Sequence, residues 1–299
     1  MFPANINSSY LRGSKGCGFR KGYNTFYCLI LMIEKFRKAR DKGHKFGALL
    51  TDLSKAFDCL NHELLIAKLA AYGFDKKALH IIFNYLNDRR HRTKISGNYS
   101  SLVEILFGIP QGSILGPLLF NIYLCDLFFN DFDITIASFA DDTTPYVCSP
   151  SISSVIDALQ VNGSKIFYWF NINSLKANAS KSHLLLSTKE KFSLSINESI
   201  VESSTCEKLL GVLIDNDLTF DQHVTTLCNK ASQKLSALSR VANFMSIEKR
   251  RTLFKAFIMS QFEYCSLIWM FHSRGLNNRI NRIHERALKI TYSDCNSSF

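Results

Sequence analysis

The sequence predicts an α+β fold: an antiparallel sheet backed by helices, followed by an all-helical C-terminal part. Three observations carry this expectation. Short apolar runs end in acids or tight turns, as at 46–52 (FGALLTD) and across 133–148, which is the pattern of strands. Longer segments between them place apolar residues three or four apart, as helices do. From about residue 220 onward only the helical spacing remains, with Leu227, Ala231, Leu235 and Leu238 on one face.

The elements follow in order. Residues 1–22 are polar and Gly-rich and read as loop. Residues 23–41 form a helix carrying Leu29, Ile30, Ile33 and Phe36. The strand at 46–52 ends in Asp52. Asn61 is placed to cap a helix over 62–72 that stops at Gly73, and Asp75 precedes a second helix over 76–87. Residues 92–106 suggest a hairpin turning at Gly97-Asn98. A Gly/Pro loop at 108–117 opens a helix near 118–128. A second hairpin spans 133–148, with Asp141-Asp142 at its tip. Ser153 caps a helix running to about Phe170, and strands recur at 182–187, 192–196 and 208–214.

Composition narrows the function classes. The 299 residues are 46% hydrophobic, with 24 Phe and 20% charged residues, enough apolar surface to exclude disorder. The formal net charge of +11 favours polyanionic partners, whose phosphates release counterions on contact with Lys and Arg. The nine cysteines form no CxxC pair, and no zinc spacing surrounds the eight histidines. That pattern fits buried, reduced thiols and no disulfide-linked partner. No secretory signal is apparent, and no run of about 18 apolar residues exists to cross a membrane.

Three acids stand out by placement. Asp52 ends an apolar strand, and Asp141 and Asp142 sit at a hairpin tip. Carboxylates converging on one sheet edge can hold the two divalent ions that phosphoryl transfer uses, and Mg²⁺ needs only two or three of them. Asp at a turn is more often turn chemistry, because it accepts local backbone hydrogen bonds. The acids alone therefore leave both readings open.

The order of motifs around the acids adds a resemblance. Thr51-Asp52-Leu53-Ser54-Lys55-Ala56-Phe57-Asp58, followed by Asn61-His62 and Leu64-Leu65, resembles the first palm motif of the reverse transcriptases of non-LTR (LINE-like, jockey-type) retrotransposons. The stretch Gly108-Ile109-Pro110-Gln111-Gly112-Ser113 through Phe120 is similar to the second, and Phe139-Ala140-Asp141-Asp142 to the third. Lys181-Ser182 resembles the fourth and Leu210-Gly211-Val212 the fifth. The resemblance covers roughly Gly18 to Tyr292, including Glu263-Tyr264-Cys265-Ser266, Trp269 and the helix from Arg279 to Ile290.

The resemblance implies a polymerase palm with partial fingers and a helical thumb. Residues 1–45 would be fingers and 46–218 palm, with a finger-type insertion at about 75–107. Residues 219–299 would be thumb and the start of a C-terminal region. It implies RNA-directed DNA polymerase activity using Mg²⁺ (two ions, or Mn²⁺), an RNA template, a DNA primer and dNTPs. Asp52 and Asp141 would be direct metal ligands, with Asp142 beside them and the Leu53 carbonyl as a third ligand. Asp58 would brace the following turn. Phe57 would be the steric gate against a 2′-OH. Gln111 and Gly112 would support the incoming nucleotide and template. Lys181 would be the acid for the departing pyrophosphate, with an exposed lysine as the equal alternative. Lys249, Arg250, Arg251, Arg279, Arg282 and Arg286 would contact phosphates, though charge runs are usually solvated faces.

Against the family pattern, Gly18-Phe19-Arg20-Lys21-Gly22 reads as the end of a fingers region whose upstream part, with the preceding endonuclease, is missing, and relatives continue beyond Phe299. The alternative expectation is therefore a catalytically impaired nucleic-acid-binding remnant. A metal nuclease and a viral RNA polymerase are weaker alternatives: the Gly-Ile-Pro-Gln-Gly loop has no use in hydrolysis, and Phe57 disfavours ribonucleotides. A retroelement polymerase implies an intracellular, nuclear place of work.

Overall fold

A computed structural model describes residues 18–19, 22–270 and 273–292. The loop expected before Gly18, the Arg20-Lys21 pair and the start of a C-terminal region after Tyr292 lie outside the described residues.

The centre is a six-stranded sheet in the order β6-β7-β1-β8-β10-β9. Its members are β1 (Lys45–Leu50), β6 (Thr135–Phe139), β7 (Asp142–Ser149), β8 (His183–Leu186), β9 (Ser193–Ile196) and β10 (Ser199–Ser204). Every pairing is antiparallel except β8 with β10. β1 is buried from Phe46 to Leu50 because helices cover both of its faces, which explains why its sequence is a continuous apolar run. On one face Leu49 packs with Val155, Leu159 and Phe167 of a long helix, Ile152–Ile172. On the other, Phe46 and Ala48 meet α1 (Thr25–Asp41) through Leu29, Ile33 and Phe36, with Phe36 stacked on Phe46 at 4.3 Å.

Two further helices, α2 (His62–Ala71) and α3 (Lys76–Leu86), begin where their caps predict. Asn61 accepts from the Leu64 N–H and Asp75 from the Ala78 N–H. The exposed ribbon after them holds four two-residue strands: β2 (Arg90–His91), β3 (Lys94–Ile95), β4 (Asn98–Tyr99) and β5 (Val103–Glu104). Its tip turns at Ser96-Gly97, one residue before the expected Gly97-Asn98, because both residues take the positive φ of a primed hairpin turn. Helix α4 (Gly116–Leu124) follows the Gly/Pro loop, and Ile152–Ile172 is α5, capped by Ser151 rather than Ser153.

The run expected to be one strand over 208–214 is a hairpin of β11 (Cys206–Leu209) and β12 (Val212–Asp215). β10 had no counterpart in the sequence reading. The C-terminal part is helical: α6 (Asp221–Val241), α7 (Ile247–Leu253), a π-helical turn at Phe254–Met259, two single-turn helices (Ser260–Glu263 and Ser266–Trp269) and α8 (Arg274–Tyr292). Leu227, Ala231, Leu235 and Leu238 of α6 share one hydrophobic cluster with α1 and β1. Among the described residues no helix is long and apolar enough to cross a membrane, and none of the seven described cysteines is in a disulfide.

Candidate active site

The acids meet because of strand register. β1 and β7 pair antiparallel, with Ala48 opposite Tyr146, and an isolated bridge continues the register to Thr51 opposite Thr143. Asp52 and Asp142 adjoin this bridge, at the same end of the sheet. The Thr51 N–H and hydroxyl both donate to the Thr143 carbonyl, at 3.1 and 2.7 Å, and pin this end of the sheet. β6 and β7 are joined by the two-residue turn Ala140-Asp141, with Phe139 opposite Asp142. Ala140 holds φ +56°, a left-handed conformation that costs a non-Gly residue about 1 kcal/mol or more. Gly18 lies against this turn so closely that a Cβ on it would fall 2.2 Å from the Ala140 nitrogen, and Asn121 fixes it by donating to its carbonyl.

A cleft of about 190 Å³ opens at this edge. Asp52, Asp142 and Lys181 line it, together with Thr144, His183, Lys208 and Leu210. Asp141 stands at the turn beside it, exposed. Asp142 is exposed on its cleft side, yet desolvation by the atoms packed around its carboxyl, then the charges of Asp141 and Asp52, push it above the ordinary carboxylate range. Asp52 and Asp142 share this cleft with the cationic side chains of Lys181 and Lys208, and Asp141 adds a third carboxylate beside it.

Whether these residues suit a divalent ion turns on how many carboxylates face the cleft. Among the described residues no group of three or more His, Cys, Asp or Glu side chains is placed to hold a metal ion. Mg²⁺ does not require one: it keeps several waters and binds through one or two carboxylates plus substrate phosphates. Asp52 and Asp142 facing one cleft, with Asp141 adjacent, fit that pattern. The Leu53 carbonyl is not used by its own bridge to Ala177, whose bonds run from the Ser54 N–H to the Lys176 carbonyl and from the Asn178 N–H to the Asp52 carbonyl.

Phe57 is half-buried, its ring stacked on Phe120 at 4.3 Å and met edge-on by Phe19 at 6.0 Å. Gln111 and Gly112 are exposed on the loop that docks beside it. Asp58 accepts from the Gln111 side-chain amide at 2.8 Å instead of capping its own turn.

Of the basic set, Lys249, Arg251, Arg282 and Arg286 are exposed. Arg279 is part-covered and donates to Asn229 of α6. Arg250 corrects the expectation: it is 2% exposed and donates to the Ile290 carbonyl near the end of α8, so it packs the helices instead of facing a ligand. Sequence reasoning missed Lys208 and His183 in the cleft, and no local signal marks them: His183 arrives by pairing of β8 with β1, and Lys208 by packing of the separate β11–β12 hairpin beside β8.

A profile of the family described as "Reverse transcriptase (RNA-dependent DNA polymerase)" matches residues 13–214. The "Probable RNA-directed DNA polymerase from transposon BS" of Drosophila melanogaster is 26% identical over 293 residues, 93% of this chain and 32% of that protein. The "RNA-directed DNA polymerase from mobile element jockey" of the same species is 25% identical over 286 residues, 91% of this chain and 31% of the relative. The chain thus spans about a third of the length of these curated relatives. Among solved structures, apo telomerase from Candida tropicalis aligns over 96% of this chain and 53% of its own, with TM-score 0.50 and 13% identity, a likeness of fold.

Proposed function

The chain belongs to the reverse transcriptase (RNA-dependent DNA polymerase) family, and from that premise we propose that it adds deoxynucleotides to a DNA primer 3′-OH on an RNA template. The observation that carries the reading is that Asp52 and Asp142, each adjoining the Thr51–Thr143 bridge, line one cleft with Lys181. Asp52, Asp142 and Asp141 would hold two Mg²⁺ ions, or Mn²⁺, which when bound acidify the attacking hydroxyl and neutralise charge on the departing phosphates.

The chain's own groups do the rest. Asp52 and Asp142 orient the primer end and the triphosphate at one sheet edge. The Leu53 carbonyl, unused by its bridge, would serve as a further metal ligand. Lys181 gives a proton from Nζ to the leaving pyrophosphate oxygen. Phe57, backed flat by Phe120, excludes a 2′-OH by bulk, so that DNA is the product. Gln111 and Gly112 support the nucleotide and template. Lys249, Arg251, Arg279, Arg282 and Arg286 contact phosphates and set position rather than sequence. Lys208, in the cleft opposite the acids, joins them as a phosphate contact. Such a polymerase would act at chromosomal DNA in the nucleus.

The test is incorporation by the purified chain on a primed RNA template with Mg²⁺, each dNTP being offered beside its ribonucleotide. Template-directed addition of dNTPs with exclusion of ribonucleotides is the expected result. Binding of the RNA–DNA duplex without any addition would leave a nucleic-acid-binding protein and overturn the polymerase reading.

A further inference from the structure

The loop carrying Gln111 is fastened to the turn after β1 by two side chains for which the polymerase reading has no task. The main-chain contacts come first. The Gly108 N–H donates to the Leu60 carbonyl at 2.7 Å, and the Ile109 N–H to the Phe57 carbonyl at 2.9 Å. Gly108 has φ +84°, and a Cβ there would lie 2.7 Å from Asp58 Cα, so only glycine permits this approach. Two side chains then close the junction. His62 Nε2 lies 2.6 Å from the Gly108 carbonyl, and since a carbonyl only accepts, that nitrogen carries the proton. Asp58 Oδ1 takes the Gln111 amide N–H at 2.8 Å.

We propose that His62 and Asp58 are positioning residues that latch the 108–112 loop to the Phe57 turn, so that Gln111 and Phe57 meet an incoming deoxynucleoside triphosphate as one rigid unit. The proposal rests on the polymerase reading. His62 is the first residue of α2, whose start is fixed by the Asn61 cap, so its ring hangs from a rigid support. Asp58 adjoins Phe57 in the short 3₁₀ turn Ala56–Asp58, so displacing Gln111 also releases the residue next to the gate. Both side chains act through the loop.

The experiment uses the full chain and four variants: His62→Ala, His62→Gln, Asp58→Ala and Asp58→Asn. Two quantities are read: kcat and KM for dNTP on a primed RNA template, and amide hydrogen exchange across residues 105–115. The alanine variants are expected to raise KM for dNTP about three- to tenfold, the worth of one hydrogen bond, with kcat within about twofold. Exchange at 108–112 should quicken. His62→Gln keeps a donor and Asp58→Asn keeps an acceptor oxygen, so both should recover most of KM. Unchanged exchange in both alanine variants overturns the latch. So does a loss confined to kcat and melting temperature with KM unmoved, which marks a merely structural pair. If the wild-type chain adds no nucleotide, the polymerase reading fails while the exchange measurement still decides the latch.

Discussion

Replacing Asp142 by Asn should stabilise the fold and weaken its response to divalent cations in a single step. Asp142 lines one cleft with Asp52, beside the Thr51–Thr143 bridge, and follows Asp141 directly. Burial, then Asp141, then Asp52 raise its pKa above the ordinary 3.8. An acid whose folded pKa is raised favours the folded state while it is protonated. That contribution is complete below the unfolded pKa and is lost as pH rises through the folded value, so at neutral pH the ionised group opposes folding. Exposed charge pairs near a protein surface are typically worth about 0.2–1 kcal/mol, and like charges act in the unfavourable sense. The cleft side of Asp142 is open to water, so screening keeps the gain near 0.5 kcal/mol, roughly 1–2 °C in Tm for a chain of this size. Thermal melts in EDTA at pH 7 should show Asp142→Asn above wild type, and the gap should close as the buffer is taken below the raised pKa. With Mg²⁺ at about ten times its Kd, wild type should gain about 1.4 kcal/mol and the variant clearly less. A variant that melts below wild type at pH 7 without divalent ions, or that gains as much from Mg²⁺, would refute this reasoning.

Three other outcomes follow from the same geometry. Lys68 is buried, gives its ammonium to the Tyr123 carbonyl and to Asp126 at 2.7 Å, and lies over the Tyr123 and Trp169 rings. Lys68→Met strands a carboxylate that is 34% exposed, and should lower unfolding free energy by about 2–3 kcal/mol in urea; an unmoved midpoint speaks against the assignment. Burial, aided by Lys230, lowers the His223 pKa from 6.5 to about 4. Its contribution is therefore intact above pH 6.5 and lost as pH falls toward 4, up to about 3 kcal/mol; His223→Gln should flatten that fall, and an equal fall in the variant would contradict it. Arg282→Ala with Arg286→Ala should weaken RNA–DNA duplex binding and reduce the salt slope by about two units, whereas an unaltered slope would remove α8 from the interface.

What was legible in the sequence was local. The Asn61 and Asp75 caps, the buried β1 run and the acidic hairpin tip each have a signal within a few residues, and each element stands where that signal puts it. What was not legible depended on partners distant in sequence. Leu209-Leu210-Gly211-Val212 reads as one apolar strand, yet Leu210 takes φ +45° and Gly211 +86°, making the turn of β11 and β12. Tyr264 holds that turn from across the chain, donating from its hydroxyl to the Leu210 carbonyl. β10 was invisible because only Val201 in Ser199–Ser204 is buried, so no alternation announces it. Arg250 shared helical spacing and charge with its exposed neighbours, and burial alone distinguishes it. The site divides in the same way: the acids carry a pattern, whereas His183 reaches the cleft through pairing of β8 with β1 and Lys208 through packing of the β11–β12 hairpin.

The central claim is that the Asp52–Asp142 edge is a polymerase centre. Its most direct test is single-nucleotide extension of a DNA primer on an RNA template with Mg²⁺, comparing wild type with Asp52→Asn and Asp141→Asn. The account predicts template-directed dNTP addition by wild type. Each Asn variant should lose it on the order of a thousandfold, several kcal/mol of charge stabilisation, while still binding the duplex. Extension that persists in both variants, or a wild-type chain that binds the duplex and adds nothing, would contradict it.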